Sequence, residues 1–167
     1  NMLSIYDNNV FHQQILEQTQ QKSIIDIDLI NELLITNISQ DTLYLMAGEV
    51  IRGGKQDRVV AKDMLILPNE EKVTLPVFCV EQGRWNYQKD AHQSFNEYFH
   101  VSSMQIRQAV QQSENQELIW KVIDKINRKN EVISKTQAYT ELAQSGVFRE
   151  QFMAYFNFFN DIFKEKK

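Results

Sequence analysis

The chain has 167 residues, of which 43% are apolar and 11% aromatic, and its 18 basic and 22 acidic side chains give a formal net charge of −4. This length suits one domain, and the apolar content excludes an intrinsically disordered chain. The acidic balance argues against a nucleic-acid binder, which normally carries a basic patch.

The apolar runs and the cysteine content of the sequence bear on the location and the redox chemistry of the protein. No apolar run approaches the roughly 18 residues of a membrane span, and no signal-peptide pattern is present. We therefore expect no membrane partner and a soluble, cytoplasmic protein, unless a signal segment was removed upstream of Asn1. The single cysteine excludes an intrachain disulfide and any metal site built from several cysteines.

The first part of the chain shows the period of β-strands. Residues 1–21 are rich in Gln and Asn and allow one short amphipathic helix, and from Ser23 onward apolar and polar residues alternate. Turn-forming residues, including Asn37 to Asp41 and the Gly53-Gly54 pair, separate the candidate strands. Strands are predicted over residues 23–28, 32–38, 41–46, 58–61, 64–67 and 72–80. Such a series of short strands favours an antiparallel β-sandwich.

The second part is predicted to be helical. Residues 86–101 are polar and aromatic without a clear period, which indicates a long loop over the sheet. Ser102 to Gln105 and Ser113 to Gln116 match the capping-box pattern that begins helices. One amphipathic helix should run to about Lys129, and a shorter one from about Thr136 should stop at Gly146. The predicted fold is therefore α+β, with a sandwich and its connecting loop over residues 1–101 and helices packed on it over residues 102–167.

The last helix carries an aromatic stripe. Six of the ten phenylalanines lie in the final twenty residues, and the apolar positions are Phe148, Phe152, Tyr155, Phe156, Phe159, Ile162 and Phe163. A stripe at helical spacing is more often part of a core, and that interpretation is favoured here. The alternative is a surface for a protein partner.

A first polar cluster surrounds the double glycine. Glu49, Arg52, Lys55, Gln56 and Arg58 lie within ten residues of one another. Glycines allow the backbone to approach a ligand closely, and Lys55 and Arg58 offer donors for phosphate or carboxylate. The alternative is a solvated hairpin whose charges pair with each other.

A second polar cluster follows the longest apolar strand. Trp85 can stack on a base or sugar, Arg84 can bind an anion, and Glu81 can accept hydroxyl protons from a ribose. Equally, Glu81 and Arg84 can form a structural ion pair beneath a capping tryptophan. We expect the two clusters to lie side by side at one end of the sandwich.

Other reactive residue types carry weaker signals. Cys79 alternates with Val73, Leu75 and Val77, so we expect a buried, unreactive thiol rather than a nucleophile. The three histidines show no spacing typical of metal ligands, so neither a metal nor another cofactor is predicted.

Two motifs resemble a known family. Ala47-Gly-Glu-Val-Ile-Arg-Gly-Gly-Lys-Gln-Asp-Arg-Val and Pro76-Val-Phe-Cys-Val-Glu-Gln-Gly-Arg-Trp are similar to the signature of the ARG and Rhodanese-Phosphatase-superfamily-associated protein domain. The family usually has Asn and Ser where this chain has Asp57 and Phe78. Weaker similarity continues through Trp120 and the Ser134 to Leu142 passage, so that the resemblance covers roughly residues 30–145.

The resemblance implies little about activity. The family is mostly bacterial and of unknown function, and it is named for neighbours that handle ADP-ribose and related phosphoesters. The leading hypothesis is a binding module for a small nucleotide-derived or phosphate-bearing ligand, held by Glu49, Lys55, Gln56, Arg58, Glu81, Arg84 and Trp85. The alternatives are a hydrolase with Glu49 or Glu81 as general base, and an interaction protein without a ligand.

Overall fold

The computed structural model describes residues 22–26, 31–84, 95–113 and 115–164, with the backbone alone for residues 22–26, 95–99 and 113. In these ranges the strands are β1 (Lys22–Asp26), β2 (Glu32–Asn37), β3 (Leu43–Leu45), β4 (Glu49–Gly53), β5 (Arg58–Val60), β6 (Met64–Ile66), β7 (Val73–Cys79) and β8 (Phe95–Val101). The helices are α1 (Met104–Ser113), α2 (Gln116–Lys129), a 3-10 helix (Tyr139–Gln144) and α3 (Gly146–Lys164). Antiparallel strands thus precede helices, which confirms the predicted α+β class.

The strands form two antiparallel sheets. Six of them pair in the order β1-β2-β7-β5-β4-β8, and β3 pairs with β6 in a separate sheet. Because side chains alternate across a strand, Val59 and Val60 of β5 are both buried but on opposite faces of the large sheet. The large sheet is therefore covered on both sides.

One face of the large sheet carries the helices. Val50, Val59 and Phe78 pack there against Ile106 of α1 and Ile119 of α2. The Gln116 side chain fixes the start of α2 to the end of β7, because its Oε1 accepts from Cys79 N at 2.7 Å and its Nε2 donates to Cys79 O at 2.8 Å. The predicted docking of helices on the sheet is confirmed.

The small sheet covers the opposite face. Leu45 of β3 and Ile66 of β6 pack against a cluster that includes Leu33, Leu75 and Val77. This arrangement of two sheets is compatible with the predicted sandwich. Full burial of each such aliphatic side chain contributes about 1.5 to 3 kcal/mol, so the cluster stabilises the pairing of the sheets.

The predicted turn after β2 is held by one buried side chain. Asn37 is fully buried, and its Nδ2 donates to the carbonyls of Asp41, Ile66 and Leu67 at 2.8 to 3.1 Å. Its Oδ1 accepts from the Ser39 N–H and hydroxyl. A single amide therefore ties the turn to the end of β6.

The predicted long loop is wrong over residues 95–101, which form edge strand β8. This strand pairs with β4, which the sequence pattern also did not predict, and the register shifts between Val50 and Ile51 and again between Arg52 and Gly53. Each shift interrupts the alternation by which strands are recognised. Residues 1–21 and 86–94, for which a helix and the rest of the loop were predicted, lie outside the described residues.

Two predicted helix boundaries are also wrong. Ser113 is the last residue of α1, and the residue that caps α2 is Asn115, whose Oδ1 accepts from Glu117 N and Leu118 N. Gly146 begins α3, whereas the preceding segment is a short 3-10 helix that ends at Gln144. The predicted end of α2 at Lys129 is confirmed.

The core interpretation of the last helix is wrong. Phe148 packs against the cluster on the helical face, but none of the residues of α3, all of them described, is buried. Helical spacing reports that a stripe lies on one side of a helix; it does not report what that side contacts.

Candidate functional site

Three chain segments meet at one end of the large sheet. Val80 N donates to Asp57 O at 3.0 Å, and Tyr139 N donates to Val80 O at 2.8 Å. The stretch after β7 therefore lies between the turn before β5 and the segment that leads into the 3-10 helix. An antiparallel bridge between Glu81 and Ala138 extends the second contact.

Glycine at position 83 is required by this close approach. Gly83 N donates to Thr136 O at 2.7 Å, and a Cβ at Gly83 would lie 2.9 Å from Thr136 Cα. That distance is shorter than real Cβ contacts, so any larger residue would push the two segments apart. Gly53, with φ of +122°, supplies the left-handed backbone at the end of β4.

Arg84 links the carboxylates of two of these segments. Its Nη2 lies 3.0 Å from Asp57 Oδ1 and 2.7 Å from Glu81 Oε2, and its Nε donates to the same Glu81 oxygen at 2.8 Å. Both carboxylate side chains are nearly buried, with 5% and 6% exposure, whereas that of Arg84 is 35% exposed. The guanidinium is thus fixed in orientation while part of it still meets solvent.

Asp57 is the residue with the largest number of contacts in this arrangement. Its Oδ1 also accepts from Gly53 N at 3.2 Å, and its Oδ2 accepts from the Thr140 hydroxyl at 2.7 Å. Arg52 Nε lies 3.9 Å from Oδ2, and Asp57 N donates to Glu81 Oε2 at 3.2 Å. Asp57 therefore joins all three segments.

These segments surround a cleft of about 340 Å³. Its lining combines both signs of charge with a hydroxyl and a glycine: Arg52, Gly53, Asp57, Glu81, Arg84, Ala138, Thr140 and Glu141. The two guanidinium groups can donate to phosphate oxygens, and the three carboxyl groups can accept from hydroxyl groups.

The two predicted clusters therefore meet, but they contribute unequally to the lining. Glu81 and Arg84 face the cleft. Glu49 and Lys55 are half-buried and lie outside the lining. Trp85 lies outside the described residues, so its predicted stacking role stays a prediction.

Gln56 and Arg58 are interior residues that support the site. Arg58 is fully buried, and its Nη1 donates to Gln56 Oε1 at 2.9 Å and to Cys79 Sγ at 2.7 Å. Gln56 Nε2 donates in turn to Glu81 O at 2.8 Å. This polar network connects the interior to the backbone of Glu81, and it places Cys79 in the interior as predicted.

Four polar side chains of the lining were not assigned to the site from the sequence: Arg52, Asp57, Thr140 and Glu141. Asp57 was noted only as a departure from the family pattern, and Arg52 was seen in the first cluster but not assigned to the site. Thr140 and Glu141 lie far along the chain in a segment without a polar motif. Their one sequence signal is their place in the Ser134 to Leu142 passage that resembles the family.

Within the described ranges, no group of His, Cys, Asp and Glu side chains is arranged to hold a metal ion. None of the helices in those ranges is long and apolar enough to cross a membrane.

Fold and site together define an α+β domain with a cleft of mixed charge at the end of its sheet. A family model matches residues 17–166, and the chain belongs to that family, the ARG and Rhodanese-Phosphatase-superfamily-associated Protein domain. The match extends beyond the roughly 30–145 expected from the motifs and includes all of α3. No curated protein and no solved structure matches the chain.

Proposed function

We propose that the cleft binds a small nucleotide-derived ligand, of which ADP-ribose is the leading example. The observation on which the proposal rests is Arg84, whose guanidinium is fixed by Asp57 and Glu81 yet remains partly exposed in the cleft. A guanidinium held in this way loses little rotamer freedom when it binds an anion. The choice of ADP-ribose follows from the association of the family and is an analogy.

Mixed charge supports a ligand that carries both phosphate and hydroxyl groups. Arg52 and Arg84 can donate to phosphate oxygens, and Glu141 can accept from the hydroxyls of a ribose. A ligand with phosphate alone would make no use of Glu141, whereas Asp57 and Glu81 already accept from Arg84. The charge pattern therefore favours a phosphorylated sugar or nucleotide over inorganic phosphate.

The size of the cleft limits how much of such a ligand it can hold. Ligand sites commonly have volumes of roughly 300 to 1,000 Å³. At about 340 Å³, the cleft suits a mononucleotide or the ribose-phosphate end of ADP-ribose. The remainder of a larger ligand would lie outside it.

Binding without turnover is favoured over the alternative of a hydrolase. Of the two carboxylates proposed as general base, Glu49 lies outside the lining of the cleft. Glu81 Oε2 already accepts from Arg84 and from Asp57 N. A general base needs a carboxylate oxygen directed at a bound water, and Glu81 Oε2 is instead occupied by donors of the protein.

Thermal-shift titration tests the proposal against related ligands. ADP-ribose, ADP, AMP, ribose 5-phosphate and inorganic phosphate are titrated separately, because a ligand that binds only the native state raises the apparent melting temperature. We expect saturable increases with ADP-ribose and at least one smaller sugar phosphate, and none with inorganic phosphate at equal concentration. An unchanged melting temperature with every compound would reject the proposal.

A further inference from the structure

Beyond Phe148, which packs against the core, helix α3 has a broad apolar face that the rest of the described chain does not bury. Five of its aromatic side chains are between 52% and 68% exposed: Phe152, Tyr155, Phe158, Phe159 and Phe163. The helix has 19 residues, which corresponds to a length of about 28 Å at 1.5 Å per residue. An aromatic face of this length is unusual on a monomer and is typical of interaction sites.

The spacing along this face is that of a helix-pairing seam. Phe148, Phe152, Tyr155, Phe159 and Ile162 follow one another at intervals of four, three, four and three residues. These are the intervals between a and d positions in paired helices. Viewed down the helix axis at 100° per residue, the apolar residues occupy an arc of about 160°, with Phe158 at one edge and Phe156 at the other. This arc is wider than a two-stranded seam alone requires.

We propose that this face binds the same face of a second copy of the chain, with the two α3 helices antiparallel and centred on Asn157. In that register Phe152 packs against Ile162 of the second copy, and Tyr155 packs against its Phe159. Phe156 and Phe158, which flank the seam, each approach their own counterparts across the two-fold axis. The face is therefore complementary to itself.

The charge distribution also favours a second copy over a charged partner. The apolar arc contains no ionisable group other than the Tyr155 hydroxyl, and Gln151 is its one other polar residue, so two copies meet without like-charge repulsion. The charged residues of the described part of α3, such as Glu150, Asp161 and Lys164, lie outside the arc. Antiparallel packing also sets the helix dipoles in opposite directions.

The available area is sufficient for a dimer. A Phe or Tyr side chain can bury roughly 150 to 250 Å², so side chains about half exposed still offer roughly 100 Å² each. Five of them from each of two chains would bury roughly 1,000 Å² before Phe156 and Ile162 are included. The total reaches the lower end of the range for stable interfaces, roughly 1,200 Å².

Size-exclusion chromatography with light scattering tests the proposal. At high micromolar concentration we expect a particle of twice the 19.7 kDa chain mass, which dissociates on dilution. The double variant Phe152→Glu/Phe159→Glu should be a monomer at every concentration, because both glutamates would be desolvated in the seam. The matched control is Ala154→Glu/Asn157→Glu, which places the same charge on the opposite side of α3 and should remain a dimer.

Circular dichroism and thermal melting check that the variants still fold, since all four positions are exposed. A wild-type chain that is monomeric throughout would overturn the proposal. So would dissociation of the control to the same extent as the seam variant, or a seam variant that remains a dimer.

Spin labels test the orientation of the helices. Single variants Asn157→Cys and Glu150→Cys provide the labelling positions, and the buried Cys79 should stay unlabelled in the native protein. In the antiparallel register the two labels at position 150 lie about 21 Å further apart along the axis than those at position 157. Equal label separations at the two positions would indicate parallel helices and overturn the antiparallel arrangement.

Discussion

Arg84 holds two nearly buried carboxylates in place, and its removal is expected to destabilise the fold. Arg84→Ala leaves Asp57 and Glu81 close together without the cation between them. Breaking a buried pair costs about 3 to 5 kcal/mol and an exposed pair under about 1, so with Arg84 partly exposed we expect about 2 kcal/mol. Urea denaturation measures the change in the free energy of unfolding.

The matched control for this prediction is Arg128→Ala, which removes an exposed ion pair with Asp124 within α2. Its loss should be under about 0.5 kcal/mol. Arg84→Lys should recover part of the stability, because it restores a cation between the carboxylates. The recovery should be incomplete, because one ammonium cannot bridge both carboxylates in the same geometry. Equal losses for Arg84→Ala and Arg128→Ala would contradict the structural role assigned to Arg84.

Cys79 is buried at 1% exposure, and its predicted lack of reactivity can be tested directly. Sγ accepts from Arg58 Nη1 and donates to Gln56 Oε1 at 3.0 Å, so the thiol lies within a polar network of the interior. We expect a thiol reagent to modify the native protein at the rate of unfolding and the denatured protein at once. Rapid stoichiometric labelling before unfolding would contradict the interior assignment.

His100 gives a pH dependence of stability. Its ring lies edge-on to Tyr139 at 5.7 Å, and burial lowers the pKa of His100 below the ordinary value of 6.5. As the pH falls through 6.5 the unfolded chain takes up the proton first. The contribution of His100 is therefore fully present above that pH and is lost progressively as the pH falls toward the folded-state pKa.

The prediction is a free energy of unfolding that decreases from about pH 7 to pH 5, with a smaller decrease in His100→Gln. Urea denaturation series at several pH values compare the two slopes. Carboxylates contribute to both proteins equally, so the difference between the slopes isolates His100. Identical slopes would contradict the prediction.

At the scale of elements, the cap of α2 offers a separate test of local stability. Asn115 Oδ1 accepts from Glu117 N at 2.9 Å and from Leu118 N at 3.2 Å, which satisfies two otherwise unpaired N–H groups. Asn115→Ala should cost about 1 kcal/mol, whereas Asn115→Asp should keep the acceptor and the stability. Urea denaturation measures the free energy of unfolding of both variants. Equal stability of Asn115→Ala and wild type would contradict the role of Asn115 as the cap of α2.

Which elements the sequence predicts depends on whether their burial alternates regularly. In β2, Leu33 and Ile35 lie on one face and burial alternates without a break, so the strand was predicted to within one residue at each end. β8 lies at the sheet edge with two register shifts, and β4 combines Val50 and Ile51 with polar neighbours. Both were missed because the register shifts between them interrupt the alternation of apolar and polar residues by which strands are recognised.

At the scale of the whole molecule, the meeting of the two polar clusters could be predicted and the third segment could not. Glu81 and Arg84 follow a recognisable strand, and so their place at the sheet end follows from the pattern. Thr140 reaches Asp57 across 83 residues of sequence, a contact that depends on how the helices dock. Arg58 was predicted to contact a ligand because it is charged and lies near two glycines. In the structure it is fully buried and contacts interior residues instead.

Titration calorimetry with ADP-ribose tests the binding proposal most directly. Arg52 is suited to the comparison because its side chain is 44% exposed and 3.9 Å from Asp57, so Arg52→Gln should leave the fold intact. We expect one saturable site in the wild type, about tenfold weaker affinity in Arg52→Gln, and unchanged affinity in Arg128→Gln, which lies outside the cleft. Absence of binding heat, or equal affinity in all three proteins, would show that the cleft is not the binding site for ADP-ribose.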